Sequence, residues 1–214
     1  MGEAAHPFPG TTDFSAFLLQ AKASGAKVIG LANGGTDSVN CIKQAVEFGL
    51  IKGGQKVVGT GLLMTDIHSI GLEAAQGVRL AEPFYWDFDE GTRAFGRRFS
   101  ARMTTRAMPN SAQAGGYSSV NHYLKTVAAV GVDRAKASGR DMIAAMRAHQ
   151  PEDVIFGKSV IREDGRVIHP IHLLEAKKPG ESKGPWDLLK RIATIPTDQA
   201  FRPINEGGCP MIKA

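Results

Sequence analysis

The sequence predicts an α/β fold in which a parallel β-sheet is flanked by helices. Three features of the N-terminal part of the chain indicate this class: short apolar runs, intervening stretches with apolar residues at helical spacing, and glycine-containing turns at their borders. Because helices and strands alternate with short connections, we expect parallel strands joined by right-handed crossovers.

The N-terminal elements are predicted in the following order. A helix with Phe14, Phe17, Leu18 and Ala21 on its apolar face is capped by Thr12 or Asp13 and ends at Gly25. Lys27–Ala32 is typical of a strand buried on both faces. A second helix with Val39, Ile42 and Val46 inward stops at Gly49, Lys56–Thr60 is the next strand, a short helix covers Ser69–Gln76, and Val78–Ala81 is a third strand.

The pattern becomes mainly helical after an aromatic cluster at residues 84–86. Three amphipathic helices are predicted, without a strand between them to cover. One is capped by Asp87 or Asp89 and contains Phe95 and Phe99, one opens at Pro109 and Asn110 with Tyr117, Val120, Leu124, Val127 and Ala128 on its apolar face, and one spans Ser138–His149 with Met142, Ile143 and Met146 inward. A β-hairpin follows, with its turn at Glu163–Arg166.

The composition is that of an ordinary soluble domain. The 214 residues are 43% hydrophobic and 22% charged, with a formal net charge of +5. These values exclude a disordered chain, a collagen-like fibre and a disulfide scaffold. No window is apolar over the roughly eighteen residues that a membrane span needs, and the first residues lack the basic and apolar segments of a secretory signal.

Metal, cofactor and nucleic-acid sites are not indicated by the sequence. Cys41 and Cys209 are consistent either with one disulfide or with two inert thiols, and no Cys/His cluster has the spacing of zinc ligands. Arg98, Arg102 and Arg106 would form a positive stripe on a helix. Without accompanying aromatic residues, a solvated helix face explains this stripe better than a nucleic-acid surface does.

Three short segments lie where an open α/β sheet places its ligands, just past the carboxyl ends of strands. The first is Asn33–Asp37, whose glycines allow a ligand to approach closely and whose following helix offers free N–H groups. An ordinary strand-to-helix turn explains this segment equally well, and the glycine spacing of a dinucleotide site is absent. The third is the aromatic cluster Phe84–Trp86, which lines a cleft or belongs to the core.

The second segment brings a hydroxyl, a carboxylate and an imidazole together on a predicted loop, in Thr65, Asp66 and His68. Asp66 and His68 suit a shared metal or an acid–base pair. A helix cap beside a surface histidine explains them at least as well, and a hydrogen-bonding rim for a small polar ligand lies between these interpretations. No motif assembles a nucleophile, a base and an orienting group, so we expect no enzyme.

Six segments in order carry a family resemblance: TTDFSAFLLQAKASGAKVIGLANGGTDSVNCIKQAVEFG, TDIHSIGLEAAQGV, EPFYWD, AGGYSSVNHYLK, EDGRVIHPIHLLEAKKP and GPWDLLKRIATIP. Together they resemble the branched-chain amino-acid type of solute-binding protein of ATP-driven (ABC) importers, which has the type I periplasmic-binding fold. The resemblance covers essentially the whole chain. It implies two α/β lobes that close on a solute without transforming it.

The resemblance also implies an assignment of the chain to these lobes. Residues 1–82 would be most of the second lobe, 83–168 a crossing segment with late helices and the hairpin of the first lobe, and 169–214 the return to the second lobe and a tail. The chain would then be an N-terminally truncated form of a periplasmic protein, with only part of one lobe present. We expect the helices over residues 89–149 to be loosely ordered, or to pair with a second copy or a missing fragment.

Site residues are implied by the same resemblance. The solute would be contacted from the two loop segments, the hinge and one helix, by Asn33, Gly34, Asp37, Thr65, Asp66, His68, Glu73, Tyr85, Trp86 and Tyr117. Either Asp66 or Glu73 would hold the ammonium group of an amino acid.

The implied function is that of the extracytoplasmic solute-binding component of an ABC transporter, with permease subunits as partners. The solute would be an amino acid, an amide, or an aromatic or other carboxylic acid, bound between the lobes without a cofactor. The alternatives are a ligand-sensing domain of the same fold in a regulator or receptor, and a small hydrolase that uses Asp66 and His68. Because about half of the cleft would be missing, we expect this chain alone to bind solute weakly or not at all.

Overall fold

The structure, a computed structural model, describes residues 2–208, 210 and 212. Two compact units share the chain. The first unit contains the chain up to Glu82 and the segment His172–Ala193, and the second contains Pro83–Ile171 and the chain from Thr194 onward. The predicted assignment of residues 1–82, 83–168 and 169–214 to two lobes stays a prediction.

Helices and strands alternate in the first part of the chain, and helices dominate its middle. The helices are α1 Ser15–Ala23, α2 Gly35–Glu47, α3 Met64–Ile70, α4 Leu72–Ala75, α5 Glu90–Arg102, α6 Ser111–Val130, α7 Val132–Ala137 and α8 Gly139–Ala148. The strands are β1 Val28–Gly34, β2 Lys56–Gly61, β3 Arg79–Glu82, β4 Glu152–Asp153, β5 Gly157–Lys158, β6 Val160–Ile161, β7 Val167–Ile168, β8 Ile171–Ala176 and β9 Leu189–Ile195.

A five-stranded sheet with the order β1-β2-β3-β8-β9 forms the centre of the first unit. β1, β2 and β3 are parallel, as the alternation of helices and strands predicts, and β8 is antiparallel to β3. Strand residues such as Val57, Leu80 and Leu174 are fully buried, together with Ile42 of α2 and Ile67 of α3. The sheet therefore positions the carboxyl ends of three parallel strands at one edge.

The prediction that the first strand is buried on both faces is wrong. β1 is the edge strand of the described sheet, and only Leu31 within it is buried, while Val28 is 55% exposed. The reason is that an edge strand is covered by fewer neighbours than a central one. A continuous apolar run cannot distinguish the two positions.

The prediction of a loop before a helix over Ser69–Gln76 is also wrong, because helix α3 already begins at Met64. The Leu63 N–H donates to Asp66 Oδ2 at 2.8 Å, which caps this helix. Met64, Ile67 and Ile70 are buried, and Gly71, with φ 84°, separates α3 from α4.

The second unit contains helices α5–α8 in succession, without a strand between them, as predicted. The predicted caps are confirmed: Asp89 accepts a hydrogen bond from the Thr92 N–H at 2.9 Å, and Asn110 accepts one from the Gln113 N–H at 3.0 Å. A cluster of Phe84, Phe95, Ala114 and Ile155 forms a core, with Trp86, Phe99 and Phe156 packed against it. The hairpin is present as antiparallel β6 and β7.

Helix α6 exposes the face that the sequence identifies as apolar. Tyr117, Val120 and Leu124 are 43%, 58% and 57% exposed. The buried residues of this helix are instead small or polar: Ala114, Ser118, His122 and Thr126. Ile143 of α8, predicted to point inward, is likewise 48% exposed. Hydrophobic periodicity locates an apolar face, but it does not say whether anything covers that face.

The arginine stripe is shorter than predicted, because α5 ends at Arg102 and Arg106 lies beyond it with φ 54°. Cys41 is buried in α2, and burial raises the pKa of its thiol to about 11. Cys209 lies outside the described residues, so the two alternatives for the cysteines stay open. Among the described helices, none is both long and apolar enough to cross a membrane.

Candidate ligand-binding surface at the carboxyl edge of the parallel strands

The carboxyl edge of the sheet in the first unit is built closely around glycine. Gly34 of β1 pairs with Gly61 of β2 in the parallel register, after an irregularity that follows Leu31. A Cβ atom on Gly61 would lie 2.9 Å from the carbonyl oxygen of Asn33, so no larger residue fits without a shift of the backbone. Gly34 is half-buried and Gly61 is exposed, so their main-chain groups are accessible at this edge.

Both ends of the Asn33 amide are held by the protein. Asn33 Oδ1 accepts a hydrogen bond from Ser38 Oγ at 2.8 Å. Asn33 Nδ2 lies 3.2 Å from Nε2 of His6, which belongs to the segment before α1. The His6 ring packs edge-on against Phe14 and Phe17, with centroids 5.0 and 6.0 Å away. Asn33 therefore links the end of β1 to the N-terminal segment.

Asp37 lies in the first turn of α2, where the helix dipole favours a carboxylate. It is 3% exposed. Its oxygens accept hydrogen bonds from the Gly10 N–H at 3.1 and 3.2 Å and from the Thr11 N–H at 3.3 Å. His6 Nδ1 is 4.0 Å from Asp37 Oδ2. The buried carboxylate is thus satisfied by the N-terminal segment.

An open cleft of about 670 Å³ lies beside this cluster, entirely within the first unit. Two stretches of chain and one α2 residue line it: Phe8–Thr12, Gly34–Asp37 and Asn40. Its lining combines main-chain groups and hydroxyls with the exposed ring of Phe8. This mixture is suited to a small organic molecule with polar groups at one end.

The second predicted segment is helical and does not form an acid–base pair. Asp66 accepts the Leu63 N–H as a helix cap, and burial raises the pKa of its carboxyl group. His68 is exposed, and its ring stacks on that of Trp186 with centroids 4.0 Å apart. Because residues two apart on a helix do not face each other, Asp66 and His68 are not positioned to share a proton. Among the described residues, no group of His, Cys, Asp and Glu could hold a metal ion.

The other predicted site residues lie in several places. Thr65 is partly buried within α3, and Glu73 is exposed on α4. Tyr85, Trp86 and Tyr117 belong to the second unit. There, the Tyr85 ring lies 5.9 Å from that of Trp86, and the Tyr117 ring lies 4.8 Å from that of Phe95. The structure thus brings together Asn33, Gly34 and Asp37, and keeps the others elsewhere.

Four residues of this edge escape the sequence analysis. His6, Gly10 and Thr11 precede the first helix, in a segment without periodicity, and reach Asn33 and Asp37 from far along the chain. Glu82, at the end of β3, is only 2% exposed and is paired with His172 in the antiparallel register. The sequence feature that could have identified Glu82 is its position as a charged residue at the end of an apolar strand, directly before a proline.

Comparison with known proteins gives a consistent result. A family model described as periplasmic binding protein matches residues 1–184. The structure of a periplasmic binding protein from Burkholderia mallei is 42% identical, with a TM-score of 0.83, over 95% of this chain and 52% of that one. A branched-chain amino-acid ABC transporter periplasmic ligand-binding protein from Burkholderia xenovorans is also 42% identical, with a TM-score of 0.82, over 96% of this chain and 53% of that one.

A more distant structure shows the same fold. It is the solute-binding protein of an ABC transporter from Rhodopseudomonas palustris in complex with p-hydroxybenzoic acid, 21% identical, with a TM-score of 0.71, over 88% of this chain and 50% of that one. Curated protein sequences gave no match. The chain spans about half the length of the structures it matches.

The match over residues 1–184, the identity of 42% over nearly the whole chain and the parallel sheet flanked by helices agree with one another. They confirm the resemblance to solute-binding proteins of the branched-chain amino-acid type. The chain belongs to the periplasmic binding protein family, which is a family of non-enzymatic solute-binding proteins.

Proposed function

We propose that this chain forms part of the extracytoplasmic solute-binding component of an ABC importer, and that its first unit supplies one wall of the solute site. The family match and the relative described as a ligand-binding protein of a branched-chain amino-acid transporter support this. The permease subunits of the importer would be its protein partners, and the periplasm its location.

The observation that carries the proposal is the glycine-lined carboxyl edge. Gly34 and Gly61 are paired there, beside a cleft of about 670 Å³. Main-chain groups free of side chains can approach a small solute closely and hydrogen-bond to it. Because residues here need only bind, the lack of an Asp66–His68 pair is no obstacle to this function.

The solute would be an amino acid, an amide, or an aromatic or other carboxylic acid. The hydroxyls and main-chain groups of the cleft suit the polar end of such a molecule, and Phe8 offers an aromatic contact. The p-hydroxybenzoic acid bound to the Rhodopseudomonas palustris protein shows that this fold accommodates an aromatic acid. The choice between Asp66 and Glu73 as the partner of an ammonium group stays a prediction.

The test is a titration followed by the amide resonances of the chain. Panels of amino acids and of aromatic acids are added at millimolar concentration. We expect saturable shifts confined to the amides that line or border the cleft, at residues 8–12, 33–37, 40 and 60–61, for one solute class. The spectrum of the solute itself should stay unchanged during days of incubation, because no chemistry occurs. Shifts confined to the second unit, or conversion of the solute, would contradict the proposal.

A further inference from the structure

The polar side chains at the end of β1 are occupied by the protein itself. Asn33 uses its Oδ1 for Ser38 and its Nδ2 for His6. Asp37 uses both carboxylate oxygens for main-chain N–H groups of Gly10 and Thr11. A carboxylate that is 3% exposed and already accepts these bonds has little capacity left for a solute.

The two ring nitrogens of His6 have different partners. Nδ1 lies 2.8 Å from the carbonyl oxygen of Pro7, which can only accept a hydrogen bond, so Nδ1 is assigned as a donor. Thr11 Oγ1 lies 3.2 Å from the same nitrogen. Nε2 is assigned as the acceptor from Asn33 Nδ2, because Asn33 Oδ1 is oriented toward Ser38 Oγ.

These contacts join two stretches of chain that are remote in sequence. His6 touches Asn33, and Gly10 and Thr11 touch Asp37, so the stretch from His6 to Thr11 is fastened at both ends to the loop Asn33–Asp37. We call residues 6–11 the strap. The cleft lies between strap and loop. Its lining includes Gly34, Gly35 and Thr36, and also Asp37, whose carboxylate oxygens accept from Gly10 and Thr11.

We propose that Asn33 and Asp37 are positioning residues: they do not contact the solute but clamp the strap, which fixes the main chain of Gly34–Thr36 as the surface that the solute meets. The inference rests on the proposed function only in assuming that a solute binds at this edge. The clamp itself is a property of this chain. It assigns Asn33 and Asp37 a different role from the direct contact that the family resemblance implies.

The first test is amide hydrogen exchange measured by NMR on the whole chain. Asp37→Ala should raise the exchange rates of the Gly10 and Thr11 amides at least about tenfold, because hydrogen bonds to a charged acceptor are lost. Asp37→Asn keeps one oxygen, so its exchange rates for these two amides should lie between those of the unaltered chain and those of Asp37→Ala. The control Glu47→Ala removes an exposed carboxylate from the last turn of the same helix. The amides of Val57–Gly59 in β2 report on global stability.

Two results of this experiment would overturn the clamp. One is exchange of Gly10 and Thr11 in Asp37→Ala that stays within twofold of Glu47→Ala. The other is an equal rise in the β2 amides, which would make Asp37 a general stabilising residue. If Asp37→Ala does not fold, Asp37→Asn, which has a smaller effect on the same two amides, provides the comparison.

The second test is the ring nitrogen spectrum of His6 at neutral pH. The clamp requires a protonated Nδ1 and an unprotonated Nε2, and Asn33→Ala should change the Nε2 resonance. An Nε2–H tautomer or an imidazolium in the unaltered chain would overturn the assignment.

A solute titration separates the two proposals. If the unaltered chain gives no solute shifts while exchange and tautomer behave as expected, the proposed function fails and the clamp stands. If His6→Ala, which releases the other end of the strap, abolishes the solute shifts at Gly34–Thr36 as Asp37→Ala does, the positioning role is supported. Solute shifts that persist unchanged in Asp37→Ala would overturn that role.

Discussion

The main chain around Gly61 leaves no room for a Cβ atom, which would lie 2.9 Å from the Asn33 carbonyl oxygen. Backbone atoms cannot rotate away as a flexible side chain can, so Gly61→Ala should cost about 1–3 kcal/mol of unfolding free energy, as other overpacked substitutions do. The measurement is urea unfolding in a Trp86→Phe background, where Trp186 reports on the first unit.

Gly30 is the matched control for this substitution. It lies in the neighbouring strand β1, and a Cβ atom there would meet nothing within 4 Å. Gly30→Ala should therefore change the unfolding free energy by no more than about 0.5 kcal/mol. Equal effects of the two substitutions would show that the close approach at the carboxyl edge is not real.

His169 gives a pH prediction for the second unit. It is buried, its ring stacks on Phe156 with centroids 4.5 Å apart, and burial lowers its pKa below the ordinary value of 6.5. The folded state then binds fewer protons than the unfolded chain, so the unfolding free energy falls as the pH drops through 6.5. The unfolding free energy stops falling once the pH is below the pKa of His169 in the folded state.

The measurement is urea unfolding at several pH values in a Trp186→Phe background, where Trp86 reports on the second unit. His169→Gln should show a smaller decrease in unfolding free energy between pH 7.5 and pH 5.5 than the unaltered protein. His149→Gln, which removes an exposed histidine, should behave like the unaltered protein. The same pH dependence in all three proteins would contradict the prediction.

At the scale of single residues, the sequence identifies the loop Asn33–Asp37 but not the residues that contact it. Asn33, Gly34 and Asp37 are recognisable because they follow an apolar strand and contain glycine. Their contacts with His6, Gly10 and Thr11 span 26 or 27 residues, and no local pattern encodes contacts at that distance. Asp66 is recognisable as a possible helix cap, but the sequence places the start of the helix at Ser69, after this residue.

At the scale of elements, α6 presents an apolar face to solvent. Leu124 is 57% exposed, while Ile155 of the core cluster is 6% exposed. Leu124→Ala should therefore cost less than about 1 kcal/mol of unfolding free energy, and Ile155→Ala about 2–5 kcal/mol, because only the second leaves a cavity. Both are measured by urea unfolding in the Trp186→Phe background.

If Leu124→Ala lowers the unfolding free energy by more than about 2 kcal/mol, Leu124 is not exposed and the apolar face of α6 is covered. Unfolding is measured at low and high protein concentration. If a second copy packs on this face, the unfolding free energy depends on concentration, whereas packing within one chain gives no such dependence. The prediction of loose order in these helices, or of pairing with another copy or fragment, is tested by the same series.

Periodicity fixed the type of most elements but not their surroundings. The helices after Asp89 and the parallel strands β1–β3 are where alternating and helical patterns place them. The exposure of β1 and of the α6 face depends on which neighbours are present, which is a tertiary property. The helix at Met64 was missed because three apolar residues and a cap make a short signal.

At the scale of the whole molecule, the chain forms two compact units and spans about half the length of the structures it matches. A typical small-molecule site buries roughly 70–90% of its ligand. If this chain supplies one wall, it would cover much less, and the missing contacts would weaken binding by several factors of ten. We therefore expect this chain alone to bind a solute weakly.

The most direct measurement is calorimetric titration of the chain with amino acids, amides and aromatic acids. We expect dissociation constants in the millimolar range for one solute class, roughly −4 kcal/mol of binding free energy, and no slow heat from turnover. A sub-micromolar dissociation constant for this chain as a monomer would contradict the claim that it carries one wall of a solute site.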